Sequence, residues 1–187
     1  MRIISGSHKG RILRPPEGLP VRPTTDMAKE SLFNILNNYI DFEEIRVLDL
    51  FAGTGNISLE FASRYAKLVL AVDVNGRCID YISKMATEFK FKNLTAVRAN
   101  VFAFLSRPAG SYDVIFADPP YDLENRESVP QLIFENNWLA DDGWFIMEHD
   151  KYISFKDHPN FSEERRYGKI HFSFFRKQSA ESTKIQD

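Results

Sequence analysis

Along most of the chain, short apolar runs alternate with stretches in which apolar residues recur every three or four positions. The runs are Ile45 to Leu50, Leu68 to Asp73, Leu94 to Arg98, Tyr112 to Ala117 and Gly143 to Glu148. The most continuous of them, Leu68 to Asp73, reads as a strand buried on both faces. Between the runs, Asn56 to Tyr65, Asn75 to Phe89, Val101 to Leu105 and Glu124 to Trp138 read as helices. Ahead of the first run, Leu32, Phe33, Leu36 and Tyr39 mark the face of an amphipathic helix, with Thr25 or Asp26 as its N-cap. At the far end, Phe161 to Tyr167 and Ile170 to Phe175 form a hairpin turning near Gly168. Strands alternating with helices make βαβ units, so the chain is α/β with a mostly parallel sheet, to which the hairpin adds an antiparallel strand. Residues 2–4 and 11–13 predict a small N-terminal β-hairpin. The expected organisation is a basic extension over 1–25, one α/β domain over 26–177 and a polar tail over 178–187.

Composition narrows the class. With 187 residues, 43% of them hydrophobic and 13% aromatic, intrinsic disorder is excluded for most of the chain. One cysteine, Cys78, excludes an internal disulfide framework and a Cys-rich zinc site. No stretch approaches the roughly 20 apolar residues of a membrane helix, and the N-terminus turns polar after two isoleucines, so a soluble cytoplasmic protein is expected. Net charge is −2, which alone points to no nucleic-acid partner. Its distribution does: residues 1–22 hold five Lys or Arg (Arg2, Lys9, Arg11, Arg14, Arg22) against Glu17, and 151–187 hold eight against five acids, leaving −9 in the centre. Basic ends on an acidic body can present one basic face to phosphate.

Two motifs carry chemistry. Asp49-Leu50-Phe51-Ala52-Gly53-Thr54-Gly55 lies between the first strand and the next helix, where a parallel sheet binds ligands. Gly53 and Gly55 permit a tight turn and close approach of the backbone. Asp73 ends the second strand, where a carboxylate can accept from a ribose diol. A dinucleotide would want a third glycine, but Ser58 stands there. S-adenosylmethionine has a ribose and a cationic amine and sulfonium but no phosphate, and Asp49 could attract its amine. The second motif, Asp118-Pro119-Pro120-Tyr121, ends the fourth core strand. Two prolines fix φ and remove two N–H donors, leaving a corner of acceptors beside an aromatic ring. Such a corner can hold the N–H bonds of a nucleobase amine and orient its lone pair toward a methyl group, while Tyr121 stacks on the base.

At these residues the chain resembles the class I, Rossmann-like methyltransferases. Arg2 to Gly6, Lys9-Gly10-Arg11, Leu19 to Asp26 and Glu30 to Asn34 narrow the resemblance to the bacterial RsmD family, which methylates the N2 amine of a guanine in 16S ribosomal RNA. The resemblance implies a seven-stranded sheet with an N-terminal extension. It implies that Asp49, Phe51, Gly53, Thr54 and Gly55 wrap the methionine part of S-adenosylmethionine, Asp73 holds the ribose, and Asn100 and Val101 flank the adenine. Asp118, Pro119 and Tyr121 would be catalytic, with S-adenosylhomocysteine as product and no metal. Lys9, Arg11, Arg14 and Arg22 would grip RNA on an assembled or assembling small subunit, the enzyme acting as a monomer. Rivals are an adenine-N6 DNA methyltransferase, which shares the corner but usually needs a further recognition domain; a protein glutamine methyltransferase, which needs no basic N-terminus; and a non-catalytic RNA-binding assembly factor, which has no use for the cofactor turn. The four histidines lack metal-ligand spacing. Cys78 reads as packing; Glu148 and His149 end the fifth strand, with lining of the base pocket as the alternative; Arg165 and Arg166 read as solvated hairpin charges, with RNA contact as the alternative.

Overall fold

The computed structural model describes residues 1–19, 26–107 and 110–177. Seven strands form one sheet: β1 Arg46–Leu50, β2 Leu68–Asp73, β3 Leu94–Arg98, β4 Tyr112–Ala117, β5 Leu139–His149, β6 Phe161–Tyr167 and β7 Ile170–Phe175. Their spatial order is β3-β2-β1-β4-β5-β7-β6. The pairings among β1 to β5 are parallel, and β7 runs antiparallel to both β5 and β6. The helices are α1 Asp26–Leu36, α2 Asn56–Ser63, α3 Gly76–Glu88, α4 Val101–Leu105 and α5 Val129–Glu135. This is the mostly parallel α/β sheet expected from the alternating pattern, with the seven strands and Rossmann-like order that the family resemblance implies.

The period-2 alternation of each strand divides the core between the two faces. Val47, Ala71, Val114, Phe116 and Ile146 pack with α1, α2 and α3 on one side. Leu48, Leu50, Val72, Ile115 and Phe145 pack with α4 and α5 on the other. Ile3 and Leu13 of the N-terminal segment are buried in the first of these clusters.

Three elements differ from the sequence reading. The helix expected over 124–138 is a 3-10 turn, Arg126–Ser128, followed by the shorter α5. Pro130 fits only the first turn of a helix, so α5 cannot begin much earlier, and Asn137 at φ 54° ends it. Strand β5 begins at Leu139, not Gly143: Leu139 pairs with Tyr112, and a register shift carries the strand through the polar Asp141 and Asp142. The N-terminal hairpin is a single antiparallel bridge, Arg2 with Ile12, closed over a 3-10 turn at Gly6–His8.

Candidate active site

The chain runs outward from β1 to β3, then crosses back to lay β4 on the other side of β1. Carboxyl ends of strands at such a reversal form a crevice. Here Leu50 pairs with both Val72 and Ala117, so the ends of β1, β2 and β4 stand level. A cavity of about 790 Å³ opens above them. Asp49, Phe51, Gly53, Thr54, Asp73, Asn100, Val101, Asp118, Pro119 and Tyr121 all face it. Ten of the eleven expected catalytic and cofactor residues therefore meet in one space.

The eleventh, Gly55, shapes the turn from behind. Its φ is +73°, and a Cβ there would lie 2.7 Å from Ile82 Cγ1. Only glycine accepts both the left-handed backbone and the close approach of α3. Phe51 holds φ 58° without being glycine, a strain of about 1–3 kcal/mol that the surrounding turn must maintain. Asp73 braces the same turn, since its Oδ2 accepts from Gly53 N at 2.8 Å and its Oδ1 from Asn75 N at 2.7 Å. Asp49 is buried, and Ser58 Oγ donates to its Oδ2 in a short hydrogen bond. Burial pushes the Asp49 carboxyl up to about 7, against the opposing pull of Ser58 and with a further push from Asp73.

Asn100 caps α4, its side-chain oxygen accepting from Ala103 N at 3.1 Å. That bond takes one of the two acceptor lone pairs of the oxygen and leaves the other for an adenine amine. Val101 follows in the first turn of α4, where backbone N–H groups have no partner within the helix. The Asp118 N–H donates to Leu50 O at 3.4 Å, tying the proline corner to the end of β1. Pro119 is buried and Tyr121 half-buried. The Arg126 guanidinium lies 5.4 Å from the centre of the Tyr121 ring and pairs with Asp150 at 3.0 Å. The ring is thus backed by a buried cation on the following 3-10 turn.

Among the described residues, no Lys, Arg or His lines the cavity. Two carboxylates, Asp49 and Asp73, stand on the β1–β2 side, with apolar Val74, Val101 and Phe102 beside them. This donor set suits a cationic, phosphate-free nucleoside and is poor for a pyrophosphate. S-adenosylmethionine fits it. Asp49 would hold the amine, Asp73 the ribose and the apolar walls the adenine.

Lys9, Arg11 and Arg14 are exposed on the N-terminal segment; Arg22 lies outside the described residues. Glu148 and His149 are buried at the end of β5 and do not face the cavity; the His149 ring bonds to Ser173 Oγ at 2.8 Å and to Asp150 O at 2.7 Å. Arg165 and Arg166 pair with Glu163 and Glu164 on their own hairpin. Cys78 is buried on α3 but also forms part of the cavity wall, and burial raises its thiol to about 11. Leu19 and Val74 line the cavity too. A lone apolar residue in a Pro- and Gly-rich stretch, or just past a strand end, carries no periodic signal, so sequence reasoning passed over both.

A family described as conserved hypothetical protein 95 matches residues 1–176. The ribosomal RNA small subunit methyltransferase D of Buchnera aphidicola (subspecies Baizongia pistaciae) is 30% identical over 179 residues, 94% of this chain and 91% of that one. Its counterpart in Escherichia coli is 33% identical over 150 residues, covering 80% and 75% of the two chains. The chain belongs to this methyltransferase D family. A solved structure described as a putative methyltransferase of Escherichia coli superposes with a TM-score of 0.84 at 30% identity, over 95% of this chain and 98% of that one. As a family member, the protein is an S-adenosylmethionine-dependent methyltransferase, and the cavity over β1, β2 and β4 is its candidate active site.

Proposed function

We propose that the protein methylates the exocyclic N2 amine of a guanine in 16S ribosomal RNA. One observation carries the chemistry: the carboxylate-lined cofactor turn and the donor-free Asp118-Pro119-Pro120-Tyr121 corner open into the same cavity, from adjacent ends of β1 and β4. Bound there, S-adenosylmethionine would supply the methyl group, its positively charged sulfur leaving with the C–S electron pair. The residues of the chain do the rest. Asp118 and the Pro119 carbonyl accept the two N–H bonds of the amine and hold its lone pair in line. Tyr121, backed by Arg126, stacks on the unstacked base. The Asp118 carboxylate would accept the proton that the amine sheds.

The substrate assignment rests on the family relatives, named for small-subunit ribosomal RNA, and on the exposed Lys9, Arg11 and Arg14. A glutamine amide in a protein would have no need of that charge. We infer further that the enzyme works in the cytoplasm as a monomer, without a metal, on an assembled or assembling small subunit. The decisive experiment maps methylated guanines in 16S RNA from cells with and without the gene. Loss of one N2-methylguanine, restored by the wild-type gene, is expected. An unchanged map would refute the assignment.

A further inference from the structure

Lysine on a surface helix ordinarily keeps its ammonium in water. Lys29 on α1 is instead fully buried. Its Nζ donates to the Arg2 carbonyl at 2.5 Å and to Asn56 Oδ1 at 2.8 Å, and pairs with Glu60 Oε2 at 3.3 Å. Three donors thus meet three acceptors, which is what a buried ammonium requires. Each acceptor belongs to a different part of the site: Arg2 to the N-terminal extension, Asn56 to the cofactor cavity wall and Glu60 to the middle of α2.

Glu60 continues the connection. Its carboxylate accepts from Ile4 N at 2.7 Å, Ser5 N at 3.0 Å and Arg64 Nε at 2.9 Å. One turn on, Ser63 Oγ accepts from His8 N at 3.0 Å and donates to Ser5 O at 2.7 Å. The extension is seated so closely that a Cβ on Gly6 would lie 1.8 Å from Ser63 O. Thr54, in the cofactor turn, donates to Met1 Sδ at 3.3 Å.

A second contact lies further along the extension. Arg77 on α3 donates to Glu17 O at 3.2 Å and to Gly18 O at 3.5 Å. The next residue, Leu19, faces the cofactor cavity. The segment that exposes Lys9, Arg11 and Arg14 is therefore fastened at both ends to the walls of the cofactor site.

We propose that Lys29 is a positioning residue that locks the RNA-facing extension to the cofactor turn, with Arg77 seating the other end, so that bound RNA and bound cofactor strengthen each other. The identity of the two ligands rests on the function proposed above; the connection between their sites is the new element. Coupling of this kind is reciprocal, so each ligand must raise the affinity of the other by the same factor.

The test uses S-adenosylhomocysteine and small subunits from cells lacking the gene, with the full-length enzyme. Filter binding measures subunit affinity with and without S-adenosylhomocysteine. Equilibrium dialysis measures S-adenosylhomocysteine affinity with and without subunits. In the wild type, both pairs should give the same factor, about fivefold or more. Lys29→Met and Arg77→Ala should each reduce it to less than about twofold, and Arg77→Lys should restore it in part. Arg77 is exposed, so its variants carry the test if the buried Lys29→Met does not fold. A factor near one in the wild type overturns the inference. So does a variant that weakens both ligands while keeping the full factor, because that is the signature of a merely structural clamp. If wild-type enzyme does not bind subunits at all, it is the functional reading that fails; if it binds them without coupling, only this inference does.

Discussion

With the cofactor amine set against it, the buried Asp49 carboxyl would make cofactor binding a proton-linked event. In the free protein its pKa stands at about 7, because burial disfavours the charged form more than Ser58 supports it. A ligand ammonium set against Asp49 favours the ionised form and draws the pKa back below that range. Binding to the protonated protein must therefore expel a proton, and affinity must rise with pH until Asp49 is already ionised in the free state. One unit below the free-state pKa, about one molecule in ten carries the carboxylate, so the dissociation constant at about pH 6 should be roughly tenfold that at about pH 8. Calorimetry of S-adenosylhomocysteine binding, in buffers of different ionisation enthalpy, should report release of about 0.9 proton at about pH 6 and much less at about pH 8. Asp49→Asn should weaken binding and flatten its pH dependence, leaving only the ionisation of the ligand. The folded-state pKa lies above the unfolded one, so the contribution of Asp49 to stability declines as pH rises from about 4 to about 7. The free Asp49→Asn variant should accordingly melt higher than wild type at neutral pH. Equal affinity and no proton release across the range would remove Asp49 from the amine site.

Asp118→Ala should lower the methylation rate by about 10²- to 10³-fold while S-adenosylhomocysteine affinity stays within about twofold; retained turnover would show that the corner does not hold the amine. Asp73→Ala loses the proposed ribose contact and also leaves the Gly53 and Asn75 N–H groups without their shared acceptor, so cofactor affinity should fall about 10- to 100-fold with little change in kcat at saturation. An unaltered dissociation constant would place the ribose elsewhere. Neutralising Lys9, Arg11 and Arg14 together should weaken subunit binding and make the slope of log affinity against log salt shallower by about 2 to 3. A slope that does not move would mean that the extension does not meet phosphate.

The parts of the molecule that announce themselves in the sequence are those where one physical demand governs each residue. Val69 to Val72 must be apolar because β2 packs against the core on both faces, and the strand reads directly from that run, although Leu68 at its start is exposed. The turn at Gly53 and Gly55 and the corner at Pro119 and Pro120 are visible because backbone geometry permits few other residues there. Ordering these motifs at successive strand ends was enough to bring Asp49, Asp73 and Asp118 to one cavity. Features that depend on partners distant in the chain stayed hidden. Lys29 and Glu60 look like solvated charges on two helices, yet both are fully buried, because each completes the other and because the backbone at Arg2, Ile4 and Ser5 needs them. The start of β5 was missed because Asp141 and Asp142 are polar where the strand bulges past β4. Arg126 was unremarkable until the fold set it behind Tyr121.

The separation of charge along the chain then has a mechanical reading. The central body, residues 23–150, carries a formal charge of −9. That field favours a cationic cofactor and opposes an RNA backbone. A lysine or arginine placed inside the cavity to attract RNA would repel the sulfonium at the point where the methyl must be delivered. Phosphate affinity is therefore best carried by a separate segment outside the pocket, and Lys9, Arg11 and Arg14 occupy one. Such a division creates a geometric requirement, because a loosely tethered grip would leave the base free to miss the in-line position that transfer demands. The extension is too short to form a core of its own. It meets the requirement by burying Ile3 and Leu13 in the domain core and by sharing the Lys29–Glu60 network with the cofactor turn. On the proposed function, the burial of the Lys29–Glu60 pair would keep attraction for RNA apart from methyl transfer while holding the two in register.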